Sequence, residues 1–157
     1  MKMRESEAVD SSKVAEVICR SIKALCFEDH KNNSEILNRW LDNKNAETIE
    51  GWIAASSCYC VTALNDYGEV VGFAMLSREG ELKLLYVSPD ETGTGLGQAM
   101  LANIEHCAKS WGLSHISLDS TDSALNFYKH HGYKYSSSCK TRTDGLNCNG
   151  MVKCVAM

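Results

Sequence analysis

The stretch from Glu81 to Trp111 limits what this chain can fold into more than any other. Glu81-Leu82-Lys83-Leu84-Leu85-Tyr86-Val87 reads as a strand, and Ser88-Pro89 stops it. Gly93-Thr94-Gly95-Leu96-Gly97 turns the chain, after which Met100, Leu101, Ile104, Cys107, Ala108 and Trp111 recur at helical spacing as far as Gly112. A strand feeding a glycine turn that opens a helix is a seat for an anion. Glycine lets the backbone turn tightly and approach a ligand, while the first unpaired N–H groups of the helix and its positive dipole end point at bound negative charge. Two phosphate motifs fail on spacing: the dinucleotide fingerprint needs a glycine where Gln98 stands, and the P-loop needs a Gly-Lys-Ser/Thr ending that is absent. A glycine-rich helix start that binds nothing also satisfies these glycines taken alone.

Upstream, Met1 to Glu7 predicts an edge strand, and Asp10-Ser11-Ser12 offers N-cap residues to a helix with Val14, Val17, Ile18, Ile22 and Leu25 on one face. A second helix is expected over Ser34 to Leu41, with Ile36, Leu37, Trp40 and Leu41 as its apolar side. Between them, Cys26-Phe27-Glu28-Asp29-His30 is a polar and aromatic loop of the kind that lines an acceptor site or simply meets solvent. From Trp52 the hydrophobic period falls to two: Cys58 to Leu64 and Val70 to Leu76 read as a hairpin about Asn65-Asp66-Tyr67-Gly68, and Ser77 to Gly80 turns into the central strand. Three antiparallel strands therefore precede the glycine loop, a meander and not a doubly wound start. After the long helix, His115 to Asp119 predicts a short strand parallel to the central one, because a helix-length crossover separates them. A helix over about Ser123 to His131 follows, and Tyr133 to Cys139 and Asn147 to Val155 are the expected closing strands about the polar stretch Lys140 to Gly145.

The 157 residues suit one domain, 1–157, with a real core. The net charge of −4 argues against a nucleic-acid surface, and no apolar run reaches the length of a membrane span. The opening Met1-Lys2-Met3-Arg4-Glu5-Ser6-Glu7 has no apolar signal segment, which predicts a reducing, cytoplasmic setting in which the eight cysteines are mostly small core residues. With no C-x-x-C pair and no paired histidine spacing, no metal is expected.

A second motif lies downstream. Ala124-Leu125-Asn126-Phe127-Tyr128-Lys129-His130-His131-Gly132-Tyr133 fits A-x-x-F-Y-x-x-x-G-F/Y, and Val87-Ser88-Pro89 with Thr92-Gly93-Thr94-Gly95-Leu96-Gly97 approaches V-x-P followed by Q/R-x-x-G-x-G/A. In this order and at this separation, the pair resembles the GNAT superfamily of N-acetyltransferases, most strongly from about Val70 to Tyr135. The resemblance implies an α/β (α+β) fold with a mixed, mostly antiparallel twisted sheet flanked by helices, and with a coenzyme A loop between the central strand and the following helix.

It also implies acetyl-CoA as co-substrate and direct transfer to an amine. In such enzymes the backbone of Leu85, Tyr86 and Val87 pairs with the pantetheine arm, and Thr92, Gly93, Thr94, Gly95, Leu96, Gly97 and Gln98 hold the pyrophosphate. Two positions depart from the pattern. Thr92 stands where Arg or Gln is usual, which removes a charge-assisted contact, and Thr121, by the resemblance also a coenzyme-binding residue, stands where many relatives carry Asn. Tyr128 matches the family's general acid, which protonates the departing thiolate, or is a core aromatic beside Phe127. Glu81, six residues before Val87, matches the base of the histone-acetyltransferase branch, acting directly or through water, or is an exposed strand-end carboxylate. His30, His130 and His131 read as surface or helix-end histidines. Phe27, His30 and Trp40 are the candidate acceptor residues, and the expected acceptor is a small-molecule amine. A protein lysine or N-terminal acetyltransferase, and an acyl-CoA-binding sensor without turnover, are the alternatives. A homodimer is compatible with all of these, and neither nucleic acid nor membrane is an expected partner.

Overall fold

The computed structural model describes residues 1–136, 146 and 149–156. In chain order they form β1 (Lys2–Glu5), α1 (Ser11–Leu25), α2 (Phe27–His30), α3 (Ser34–Leu41), α4 (Ala46–Ala54), β2 (Cys58–Leu64), β3 (Val70–Ser77) and β4 (Glu81–Val87). There follow α5 (Leu96–Ser110), β5 (His115–Ser120), α6 (Leu125–His130), β6 (Lys134–Tyr135) and β7 (Asn149–Cys154). The strands make one sheet in the order β1-β2-β3-β4-β5-β7-β6, antiparallel throughout except where β4 meets β5. The mixed, mostly antiparallel sheet that the motifs implied is therefore present.

Each face of the sheet carries its own apolar layer. Leu96, Met100, Leu101, Ile104 and Ala108 of α5 pack with Leu82, Leu118 and Tyr128 on one face. Val14, Ile18 and Ile22 of α1 pack with Trp40, Ile49, Phe73 and Met75 on the other. The i, i+4 spacing of Val14, Ile18 and Ile22 places them on one stripe, as the sequence pattern required, whereas Leu25 at the helix end is 38% exposed.

Three features depart from the sequence reading. Residues Ala46–Ala54 form a helix, capped by the Asn45 side chain, which accepts the Thr48 N–H at 2.9 Å; the change of period thus falls at Cys58, not at Trp52. The Cys26 to His30 segment is one helical turn instead of a loop. In β4 the register with β3 slips, because Met75 faces Leu84 while the next residue, Leu76, faces Leu82. Lys83 is the extra residue of a bulge, which turns Leu82, Leu85 and Val87 to the α5 face and Leu84 and Tyr86 to the α1 face. Of the closing strands, Lys134–Tyr135 and Asn149–Cys154 are formed; positions 137–145, 147 and 148 lie outside the described residues, and with them the expected turn Lys140 to Gly145.

Candidate active site

The parallel strands β4 and β5 touch only at their N-terminal ends, Glu81 opposite Ser117 and Leu82 opposite Leu118. Beyond this point β5 pairs with β7 and β4 keeps only β3, so among the described residues no strand lies against the β5-facing edge of β4 from Lys83 to Val87. Backbone donors and acceptors along such an edge are open to an extended ligand. The split widens into a cleft of about 940 Å³, walled by Leu82 to Val87, by Leu118 to Thr121, by Thr92, Gly93 and Gly95 to Gln98, and by Tyr128.

The glycine turn aims α5 at this cleft. Gly93 and Gly95 have φ of +81° and +85°, the left-handed region in which a side chain is strained. Among the described residues no partner accepts from the N–H groups of Gly95, Leu96, Gly97 or Gln98, and the first helical bond is Ala99 N–H to Gly95 O at 3.0 Å. These four donors face the cleft at the positive end of a fifteen-residue helix. Thr92 lies on the same wall with its hydroxyl donating to Pro89 O at 2.8 Å, while the Thr94 hydroxyl donates to Glu91 O at 2.7 Å and Thr94 does not line the cleft. Both hydroxyls tie down the turn itself.

On the opposite wall, Thr121 closes the turn into α6 by accepting the Ala124 N–H at 3.3 Å. The same segment is held from α2, because the Asp29 carboxylate accepts the Asp122 N–H at 2.6 Å, the Ser123 N–H at 3.2 Å and the Ser123 hydroxyl. A carboxylate at a helix start takes up backbone donors that the helix leaves unsatisfied. Asp29 thus gives the Cys26 to His30 segment a structural role that no local pattern announces.

Tyr128 is 7% exposed and lines the cleft. Its ring meets Phe127 and Tyr133 edge to face, with centroids 5.2 and 5.5 Å away, and its hydroxyl bonds to no other described residue. Burial raises its pKa, so the phenol stays protonated far above neutrality. Neighbouring Tyr133 is built differently: its hydroxyl donates to Glu105 Oε2 at 3.0 Å, and Lys153 Nζ sits 3.1 Å from the same carboxylate.

The remaining candidates separate. Glu81 sits at the closed end of the split, half exposed, with its carboxylate 3.9 Å from Lys83 Nζ; Lys83 lines the cleft and Glu81 does not. Trp40 lines the cleft and donates its indole N–H to the Tyr86 hydroxyl at 3.2 Å. Phe27 is exposed and away from the cleft. His30 is fully buried and not a surface residue: Nδ1 accepts the Asn32 N–H at 3.0 Å, which puts the proton on Nε2, 3.1 Å from Ile22 O. The cysteines are mixed. Cys26 and Cys60 are buried, with burial pushing each thiol up to about 12, while Cys154 is exposed. Among the described residues no group of His, Cys, Asp and Glu side chains could hold a metal ion, and no helix is long and apolar enough to cross a membrane.

Asp119 was not singled out by the sequence, although it lies on the cleft wall. Alternate residues Ile116, Leu118 and Ser120 of β5 are buried while Ser117 and Asp119 are exposed, and Asp119 accepts the Asn149 N–H at 2.9 Å. The period-two alternation carries that signal, since it turns Asp119 away from the α5 layer.

A sheet split between its parallel strands, beside a helix start with open amides and a buried phenol, is the architecture of an acetyltransferase. The model of the Acetyltransferase (GNAT) domain matches residues 27–155, and the chain belongs to that family. An uncharacterized N-acetyltransferase of Mycobacterium tuberculosis is 33% identical over 96 residues, which is 57% of this chain and 59% of that protein. The alignment thus spans less than two thirds of the curated relative. Among solved structures, the PaiA N-acetyltransferase of Thermoplasma acidophilum in complex with coenzyme A superimposes with a TM-score of 0.83 at 21% identity, covering 98% of each chain. Aminoglycoside 6'-acetyltransferase type Ii superimposes with a TM-score of 0.72 at 19% identity, covering 99% of this chain and 97% of the other.

Proposed function

We propose that the chain transfers an acetyl group from acetyl-CoA to a primary amine of a small molecule by direct attack on the thioester. The observation that carries this reading is that one cleft joins the edge of β4 from which β5 diverges to the open amides of α5. The first suits an extended amide-bearing arm, the second a pyrophosphate. An aminoglycoside acetyltransferase among the structural neighbours is in keeping with a small amine acceptor.

In this reading the amine attacks as free base from the α1 face, where Trp40 and Tyr86 border the cleft. As the N–C bond forms, the carbonyl oxygen becomes an oxyanion, to which a backbone N–H on the β5-facing edge of β4 donates a hydrogen bond. The C–S bond then breaks, and the sulfur leaves toward the α5 face, where the Tyr128 O–H donates to it. Proton removal from the amine falls to Glu81 acting through water, since Glu81 stands behind the split and not on the cleft wall. Thiol release measured with acetyl-CoA and a panel of aminoglycosides, polyamines, free amino acids and lysine peptides tests the assignment. Turnover with a small amine is the expected outcome; turnover with lysine peptides alone, or no thiol release above hydrolysis, overturns it.

A further inference from the structure

A second pocket, of about 330 Å³, lies on the α5 face of the sheet, and its walls share no residue with the cleft. It is formed where the edge of the sheet meets the C-terminal half of α5, and its working residues are Glu5, Tyr59, Arg78, Asn103 and Trp111. Arg78 is held in place before any ligand arrives. Its Nε donates to Ser56 O at 3.1 Å, its backbone N–H to Ser57 O at 3.0 Å, and its guanidinium lies over the Trp111 ring, 4.4 Å from the centroid. The terminal nitrogens bond to no other described residue, so the planar fork that matches a carboxylate is free.

Donors gather around that fork. The Tyr59 hydroxyl donates to Asn103 Oδ1 at 2.8 Å, which fixes the amide with its NH2 side unused among the described residues. Tyr59 and Trp111 meet edge to face at 6.4 Å and give the pocket an aromatic wall. Glu5 lines the same pocket, and its carboxylate also has no hydrogen-bond or ion-pair partner among the described residues. An acid and an immobilised guanidinium thus border one small cavity without closing on each other, as they would to bracket a molecule carrying both charges.

We infer that this pocket binds a small amino carboxylic acid, with the carboxylate on Arg78 and Asn103 and the ammonium on Glu5. Both charged walls are exposed, so each contact is weak and the dissociation constant is on the order of 1 mM. The site is independent of the acetyl-transfer reading, because none of its residues borders the cleft.

The test is thermal shift and calorimetric titration of the whole chain with glycine, β-alanine and 4-aminobutyrate, beside acetate and methylammonium, which carry one charge each. At ten times the dissociation constant, at least one amino acid is expected to raise Tm by about 3–5 °C, and both single-charge probes by much less. Arg78→Gln and Glu5→Gln should each weaken that binding about three- to fivefold while leaving acetyl-CoA binding unchanged, which also shows that the variants are folded. No shift with any of the three amino acids, an equal response to acetate alone, or binding that survives both substitutions would overturn the inference.

Discussion

Two adjacent buried tyrosines, in ring contact at 5.5 Å, let catalysis be separated from packing. Tyr128→Phe removes an oxygen that bonds to no other described residue and keeps both edge-to-face contacts, so Tm should stay within about 1 °C of the native protein. Tyr133→Phe instead removes a donor to the Glu105 carboxylate and should cost about 1–2 kcal/mol, which for a chain of this size lowers Tm by about 3–6 °C. Activity should follow the opposite order. General-acid help ranges over about 10²–10⁴-fold, and the high pKa that burial gives Tyr128 makes it a reluctant donor, which places the loss in kcat for Tyr128→Phe near the lower end, about 10²-fold. Binding of acetyl-CoA should be unchanged, and kcat of Tyr133→Phe should stay within about threefold of the native value. Because the phenol is the active form and persists far above neutrality, Tyr128 should add no alkaline limb to the rate profile below about pH 10. Stopped thiol-release assays and calorimetry on the two variants suffice. Full activity in folded Tyr128→Phe, or equal kinetic losses in both variants, would refute the assignment of the acid.

Glu81→Gln should depress the low-pH limb of the rate profile and be partly rescued at high pH, where the amine arrives already deprotonated; equal loss at every pH would assign Glu81 to folding or acceptor binding. Thr92→Arg should lower KM for acetyl-CoA several-fold at low salt, with the gain fading as salt screens it, since the native hydroxyl is committed to Pro89 O and offers the pyrophosphate little. An unchanged KM at low salt would show that position 92 lies outside the anion site. Asp10 is 6% exposed and takes a two-pronged contact from Arg4 at 2.8 and 2.9 Å, and the guanidinium holds its carboxyl below the usual range. The depressed pKa means that this stabilisation is fully present above about pH 4 and is lost as pH falls through the folded-state value. Asp10→Asn should therefore lower stability by about 1–3 kcal/mol at pH 7, with the gap closing at lower pH, as urea midpoints at both ends would show.

The stretch from Val70 to Tyr135 was the most legible part of the chain, because its signals are local. Alternation marked β3 and β4, the two positive-φ glycines marked the turn into α5, and a helix-length crossover made β5 parallel to β4. The bulge at Lys83 escaped because an extra residue in a strand has no composition of its own; its trace is the odd spacing of Leu82 and Leu85, which share the α5 face. Helix α4 escaped although Asn45 caps it and Ile49 and Ile53 share a face, since only nine residues carry the period. Acceptor-side residues were read least well. Whether Phe27, His30 or Trp40 borders a cleft depends on how α2 and α3 pack on the sheet, and that packing put His30 in the core, left Phe27 outside and brought only Trp40 to the wall. Asp29, whose carboxylate reaches residues more than ninety positions away, could not be found from spacing at all.

The central claim is that acetyl-CoA lies in the split between β4 and β5 with its pyrophosphate on the amides of α5. Amide chemical shifts of the ¹⁵N-labelled chain, followed as coenzyme A is added, test it residue by residue. The account predicts the largest changes at Gly95, Leu96, Gly97 and Gln98, whose N–H groups gain an anionic acceptor, with further changes from Lys83 to Val87 and little at Tyr59 or Trp111. Saturating coenzyme A that leaves the four helix-start amides unmoved, or that acts chiefly outside the cleft, would contradict it.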